Sequence, residues 1–121
     1  MKLLTLIKGE FIMQTEVVKK LKYYHYVAAF FAGLFLANSI PHYVNGISGN
    51  QFPSPFANPP GFGNSSATIN VLWEAANLFF GYVLFRLSRS RFKDGVSMLI
   101  IFAGIVCMGV ILSFAFSHGV P

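Results

Sequence analysis

All nine Lys and Arg residues of this chain lie on one side of its apolar stretches, and that placement limits how the chain can be threaded. Lys2, Lys8, Lys19, Lys20 and Lys22 precede the first stretch, and Arg86, Arg89, Arg91 and Lys93 fall between the second and third. From Pro41 to Thr68 no side chain is charged. Membrane insertion keeps short basic segments on the cytoplasmic side. The sequence therefore predicts a multi-pass protein of the cell membrane. Its N-terminus is expected inside, its long uncharged loop outside and, after three crossings, its C-terminus outside.

Composition supports that reading. A chain of 121 residues holds at most one domain. Apolar residues make up 55% of it and charged ones 11%, against about 25% charged in a typical soluble domain. So small a soluble body has too little interior to hide three long apolar runs. The net charge of +5 is better matched to anionic headgroups than to nucleic acid, because the basic residues flank the apolar runs. The single cysteine, Cys107, sits inside an apolar run and has no partner for an intrachain disulfide.

The expected fold class is all-α: a membrane bundle of three transmembrane helices, an N-terminal amphipathic interfacial helix and one long ordered extracytoplasmic loop. Residues 1–22 place Leu3, Ile7, Phe11, Val18 and Leu21 near one helical stripe, which suits a helix lying on the inner membrane surface. Met13 offers an alternative start, which would make residues 1–12 an upstream extension. Residues 23–40 form the first span, with Tyr23, Tyr24 and Tyr26 as an interfacial belt, His25 as an anchor and Pro41 as the stop. Ala37 and Ser39 also read as the small residues before a signal-peptide cut, although an uncleaved span is preferred. The loop at 41–68 carries Pro53, Pro55, Pro59 and Pro60, which forbid continuous helix or central strand. Its rings Phe52, Phe56 and Phe62 argue for a loop folded onto a surface or a partner rather than a solvated linker. Residues 69–87 form the second span, 88–95 a basic cytoplasmic turn, 96–116 the third span and 117–121 an extracytoplasmic end.

The second span holds the most informative pattern. Asn70, Glu74, Asn77 and Gly81 step by helical spacing and so share one face, which must meet protein or water because lipid offers no hydrogen-bond partner. An intramembrane carboxylate such as Glu74 is either a functional group or polar glue across a helix interface. Topology gathers Asn38, His42, Asn70, Glu74, Asn77 and His118 at the outer level, and this polar cluster is the candidate binding site. His42, His118 and Glu74 have the chemistry of zinc ligands, but their spacing carries no signature, and a hydrogen-bonded network is the preferred reading. No catalytic residue, metal or cofactor is assigned. Asp94 lies on the opposite side from His42 and His118, which excludes a Ser-His-Asp triad. Two stripes of small residues, Ala29, Gly33 and Ala37 on the first span and Gly109, Ser113 and Ser117 on the third, predict close helix approach. Arg86, Arg89, Arg91 and Lys93 read as a lipid-facing, topogenic turn.

Two resemblances follow from these residues. Gly46, Ile47, Ser48 and Gly49 spell GISG, which resembles the serine motif of rhomboid-type intramembrane proteases. The likeness stops at four residues, and a glycine-serine turn is the preferred reading. The segment HYVNGISGNQFPSPFANPPGFGNSSATINVLWEAANLFFGY resembles the core of small bacterial integral membrane proteins with no assigned activity. That implies a bacterial inner membrane and carries over no site residue. The expected function is a non-enzymatic accessory or interaction subunit, acting through the outer loop and the small-residue faces on another membrane protein or a second copy. Small immunity proteins against membrane-active toxins are a variant of it. The alternatives are an oligomeric small transporter or channel that uses Glu74, and a metal or enzymatic site at the outer face.

Overall fold

The computed structural model describes residues 2–19 and 21–117, with side chains for 2–10 and 21–117. Four helices follow in order: α1 (Lys2–Lys19), α2 (Tyr23–Ile47), α3 (Ala67–Leu87) and α4 (Gly95–Ser117). Between α2 and α3 stands one short antiparallel pair, β1 (Phe52–Pro53) with β2 (Asn64–Ser65), in the register Phe52 to Ser65. Three helices, α2, α3 and α4, are long and apolar enough to cross a membrane, the pattern of a multi-pass membrane protein.

Local chemistry explains where the helices begin. At the start of α2 the Lys22 N–H donates to His25 Nδ1 at 2.9 Å while the His25 N–H donates to the Lys22 carbonyl at 3.0 Å, a reciprocal cap. His25 is buried and stacked on Tyr24, so this expected anchor also starts the helix. Ser66 caps α3, its hydroxyl accepting from Ile69 N–H at 3.2 Å. Asp94 opens α4, its carboxylate accepting from Val96 N–H at 3.2 Å and from the Ser97 hydroxyl.

The first span departs from expectation. Pro41 does not stop it; the helix runs on to Ile47 with the proline inside. A proline removes one backbone hydrogen bond and crowds the preceding turn, a cost that neighbouring helices can offset. Here the residues beyond Pro41 gain packing against α3. Gly46 approaches so closely that a Cβ there would meet the Ala67 carbonyl at 3.0 Å, and His42 bonds to Asn70. The Asn45 side chain also donates to the Pro41 carbonyl at 2.8 Å. The loop thus begins at Ser48 rather than at Pro41, and Gly46 and Ile47 of the GISG stretch are helical.

α2 is the central helix. It packs against both α3 and α4, whereas α3 and α4 make at most marginal contact with each other. Against α4 the approach is steric. A Cβ on Gly33 would fall 2.1 Å from the Ile101 carbonyl oxygen, and one on Gly104 would fall 2.1 Å from that of Phe30. Only glycine fits at either point, and the absent side chains let the two backbones touch. Ala29, Gly33 and Ala37 are buried, so this expected stripe packs inside the bundle. The stripe expected on the third span does not. Gly109 has open space around it and Ser113 and Ser117 are exposed, while the buried residues of α4 are Ser97 and Gly104. Gly104 is the position whose turn lies against α2.

Burial is inverted relative to a water-soluble fold. The largest fully buried side chains are Asn70, Asn77, Ser54, Ser88 and Ser97, while Leu72, Phe79, Leu99, Phe102 and Phe114 are exposed. In water such a surface would drive aggregation; in a bilayer it meets a matching solvent.

Candidate functional site

The polar residues of α3 form a seam along α2. Asn70 and Asn77 are fully buried, and Glu74 and Gly81 are buried with them. The spacing predicted one shared face, and α2 is what covers it. Asn38 Nδ2 donates to Asn77 Oδ1 at 3.0 Å, and Asn77 Nδ2 donates to the Trp73 carbonyl at 2.8 Å. One turn nearer the loop, His42 Nδ1 lies 2.7 Å from Asn70 Oδ1. Four of the six expected site residues therefore meet in two pairs across one interface.

Asn70 joins the seam to the loop. Its amide nitrogen donates to the carbonyls of Phe52 at 2.9 Å, Ser65 at 3.2 Å and Ser66 at 3.1 Å. One side chain on α3 thus holds β1, β2 and the cap of its own helix. The loop is further closed by a 2.6 Å bond between the buried hydroxyls of Ser54 and Ser65 and by the Gly61 N–H donating to the Ser54 carbonyl at 2.8 Å. The positive φ of Gly61 (79°) suits glycine at that bend. Rings complete the attachment. Phe52 packs edge-on to His42 at 5.3 Å and against Phe116 at 4.9 Å, and Phe56 packs on Trp73 at 5.3 Å.

Beneath the loop is a cavity of about 320 Å³. Asn38 and His42 of α2, Trp73 of α3, Leu112 and Phe116 of α4 and Ser54 of the loop all face it. No described residue lining it is charged. Its size is at the lower end of the range for small-molecule sites, roughly 300–1,000 Å³.

Glu74 stands apart. Successive residues on a helix point about 100° apart, so Trp73 and Glu74 leave the α2-facing stripe on opposite flanks. Trp73 lines the cavity and Glu74 does not. Glu74 keeps 7% of its surface, and its carboxylate makes no hydrogen bond among the described residues. It is not among the fully enclosed unpaired groups, so both oxygens retain some surface. Polar glue across the α2–α3 interface is therefore the work of Asn38, His42, Asn70 and Asn77. His118 lies outside the described residues. Among the described residues no three His, Cys, Asp or Glu side chains come together as metal ligands.

At the far end of the bundle the basic turn is exposed. Arg86 donates to the Tyr82 hydroxyl at 2.9 Å and lies over its ring, Arg89 takes a left-handed φ of 54°, and Arg91 and Lys93 are exposed. Sequence reasoning missed Trp73, Phe52, Ser54 and Ser65 as parts of the site. Trp73 had a signal, being the one tryptophan and spaced by three and four from Asn70 and Asn77. The serines had none, since their pairing depends on the loop closing on itself.

Comparison with known protein families, with curated proteins and with solved structures finds no match to this chain.

Proposed function

We propose that this protein is a non-enzymatic accessory or interaction subunit of a membrane, with the ordered loop as its contact surface. One observation supports this most: a proline-rich loop is tied to the helices by Asn70, Ser54 and Ser65, yet leaves Phe56 68% and Phe62 61% exposed. Ordering a chain costs roughly 1–2 kcal/mol per residue, and apolar rings held outward on an ordered loop are the usual anchors of an interface. The basic residues at the opposite end support an orientation with the loop outside and α1 and the 88–94 turn on the cytoplasmic side. Leu3, Leu4, Leu6 and Ile7 of α1 are uncovered by the bundle, which suits a helix resting in the headgroup region. A doubly substituted Phe56→Ala, Phe62→Ala chain should insert normally but lose the membrane partner that crosslinks to the wild type. Equal crosslinking of both chains would remove the loop as the contact surface.

Glu74 favours a second reading, a proton-coupled transporter assembled from several copies. A carboxylate that is buried, partly accessible and unpaired among the described residues has the properties of a proton carrier or of a group completed by a neighbouring copy. In reconstituted vesicles Glu74→Gln should then abolish proton-coupled flux. Unchanged flux would dismiss this reading and leave the first intact.

A further inference from the structure

The hydrogen bonds of the seam fix which polar atoms of two cavity-lining residues stay uncommitted. Carbonyl oxygens only accept, so the Asn70 group that meets the Phe52, Ser65 and Ser66 carbonyls is its NH₂. Its Oδ1 then faces His42 Nδ1 at 2.7 Å and must accept, which places the imidazole proton on Nδ1. His42 Nε2 is left with a bare lone pair. The same logic applies one turn away. The Asn77 NH₂ is committed to the Trp73 carbonyl, so Asn77 Oδ1 accepts from the Asn38 NH₂ and leaves Asn38 Oδ1 free.

Neither His42 Nε2 nor Asn38 Oδ1 has a partner among the described residues, and neither is sealed from the surface. Both residues line the cavity, and His42 is 95% buried, its relative exposure being 5%. Spaced by four on α2, the two residues sit one turn apart on one face of the helix. The facing surface is apolar: Trp73, Leu112 and Phe116. An acceptor held mostly out of water is stabilised by a donor, and an uncharged lining with two free acceptors favours a neutral ligand that donates.

We propose that this cavity binds a neutral amphiphile carrying hydroxyl donors, its hydroxyls on His42 Nε2 and Asn38 Oδ1 and its apolar part against Trp73, Leu112 and Phe116. Among the described residues a cation finds no carboxylate there, and an anion finds no positive charge. One of the exposed loop rings, Phe62, also lines this cavity, but the proposal rests on His42 and Asn38 and stands or falls without the interaction reading.

Trp73 is the one tryptophan in the chain and lines the cavity, so its fluorescence reports occupancy directly. The full chain in lipid nanodiscs is titrated with 1-O-octylglycerol, with its 2,3-di-O-methyl ether and with glycerol. The diol amphiphile should give a saturable change, and the capped ether should bind at least roughly tenfold more weakly, the loss expected when a buried acceptor goes unpaired. Glycerol, lacking the chain, should bind far more weakly still; if it bound as tightly as octylglycerol, the ligand would be a water-soluble polyol and the amphiphile claim would fail. His42→Phe should weaken diol binding about tenfold and leave ether binding unchanged. Equal affinity of diol and ether in the wild-type chain, or no saturable change with the diol, would overturn the proposal even if the variant did not fold.

Discussion

The two faces of α2 are held by different physics. Toward α4 the contact is a glycine crossing at Gly33 and Gly104, with backbones in direct touch. Toward α3 it is a polar seam of Asn38, His42, Asn70 and Asn77. Lipid tails are as apolar as leucine, so burying apolar surface gives no drive for helices to associate in a bilayer. What remains is close packing and hydrogen bonding, and this protein uses one on each side of a single helix. The difference teaches where function has room. The glycine crossing fills space, whereas the polar seam opens at its loop end into a cavity with acceptors to spare.

Substitutions separate the two faces. Gly104→Leu should have the largest effect, because its first carbon already collides with the Phe30 carbonyl and the backbone cannot yield. A loss of about 3 kcal/mol in equilibrium unfolding in detergent is expected. Gly109→Leu, where a side chain meets open space, should change stability by less than about 0.5 kcal/mol. If the two glycine variants behaved alike, the steric account of the α2–α4 contact would be wrong.

On the polar face, Asn70→Ala should cost about 2–3 kcal/mol, since it removes the side-chain donor to the Phe52 and Ser65 carbonyls and the acceptor of the His42 imidazole at once. Limited proteolysis should then cut between residues 48 and 66 while the helices stay protected. Retained protection of that segment would show that the loop is held by its own contacts instead. A smaller effect than that of Asn70→Ala is expected for the Asn38–Asn77 pair. A double-mutant cycle with alanine at both sites should return a coupling near 0.6 kcal/mol, the usual value for such bonds within membranes.

The sequence made some of this legible for identifiable reasons. The three spans stood out because uninterrupted apolar runs of that length have few other uses. The stripe of Asn70, Glu74, Asn77 and Gly81 was readable because helical spacing alone puts them on one face, and all four are buried. Residues whose position depends on tertiary contact were not readable. Pro41 looked like a stop because its local cost is visible in sequence, while the packing of Gly46 on Ala67 and Val71 that offsets it is not. Gly109, Ser113 and Ser117 had the spacing of a packing face, but the glycine that meets α2 is Gly104. Glu74 shared a stripe with three residues that pack or bond across α2, yet it sits at that stripe's edge and bonds to none of the described residues.

The central claim is that α2 lies between α3 and α4 and binds each by a separate face. Disulfide trapping in a Cys107→Ser background tests it directly. Leu36→Cys with Gly81→Cys joins α2 to α3, where a Cβ on Gly81 comes within 3.0 Å of Leu36. This pair should crosslink rapidly in membranes, whereas cysteines at Gly81 and Ile101, on α3 and α4, should not. Efficient crosslinking of the second pair within one chain would contradict the arrangement.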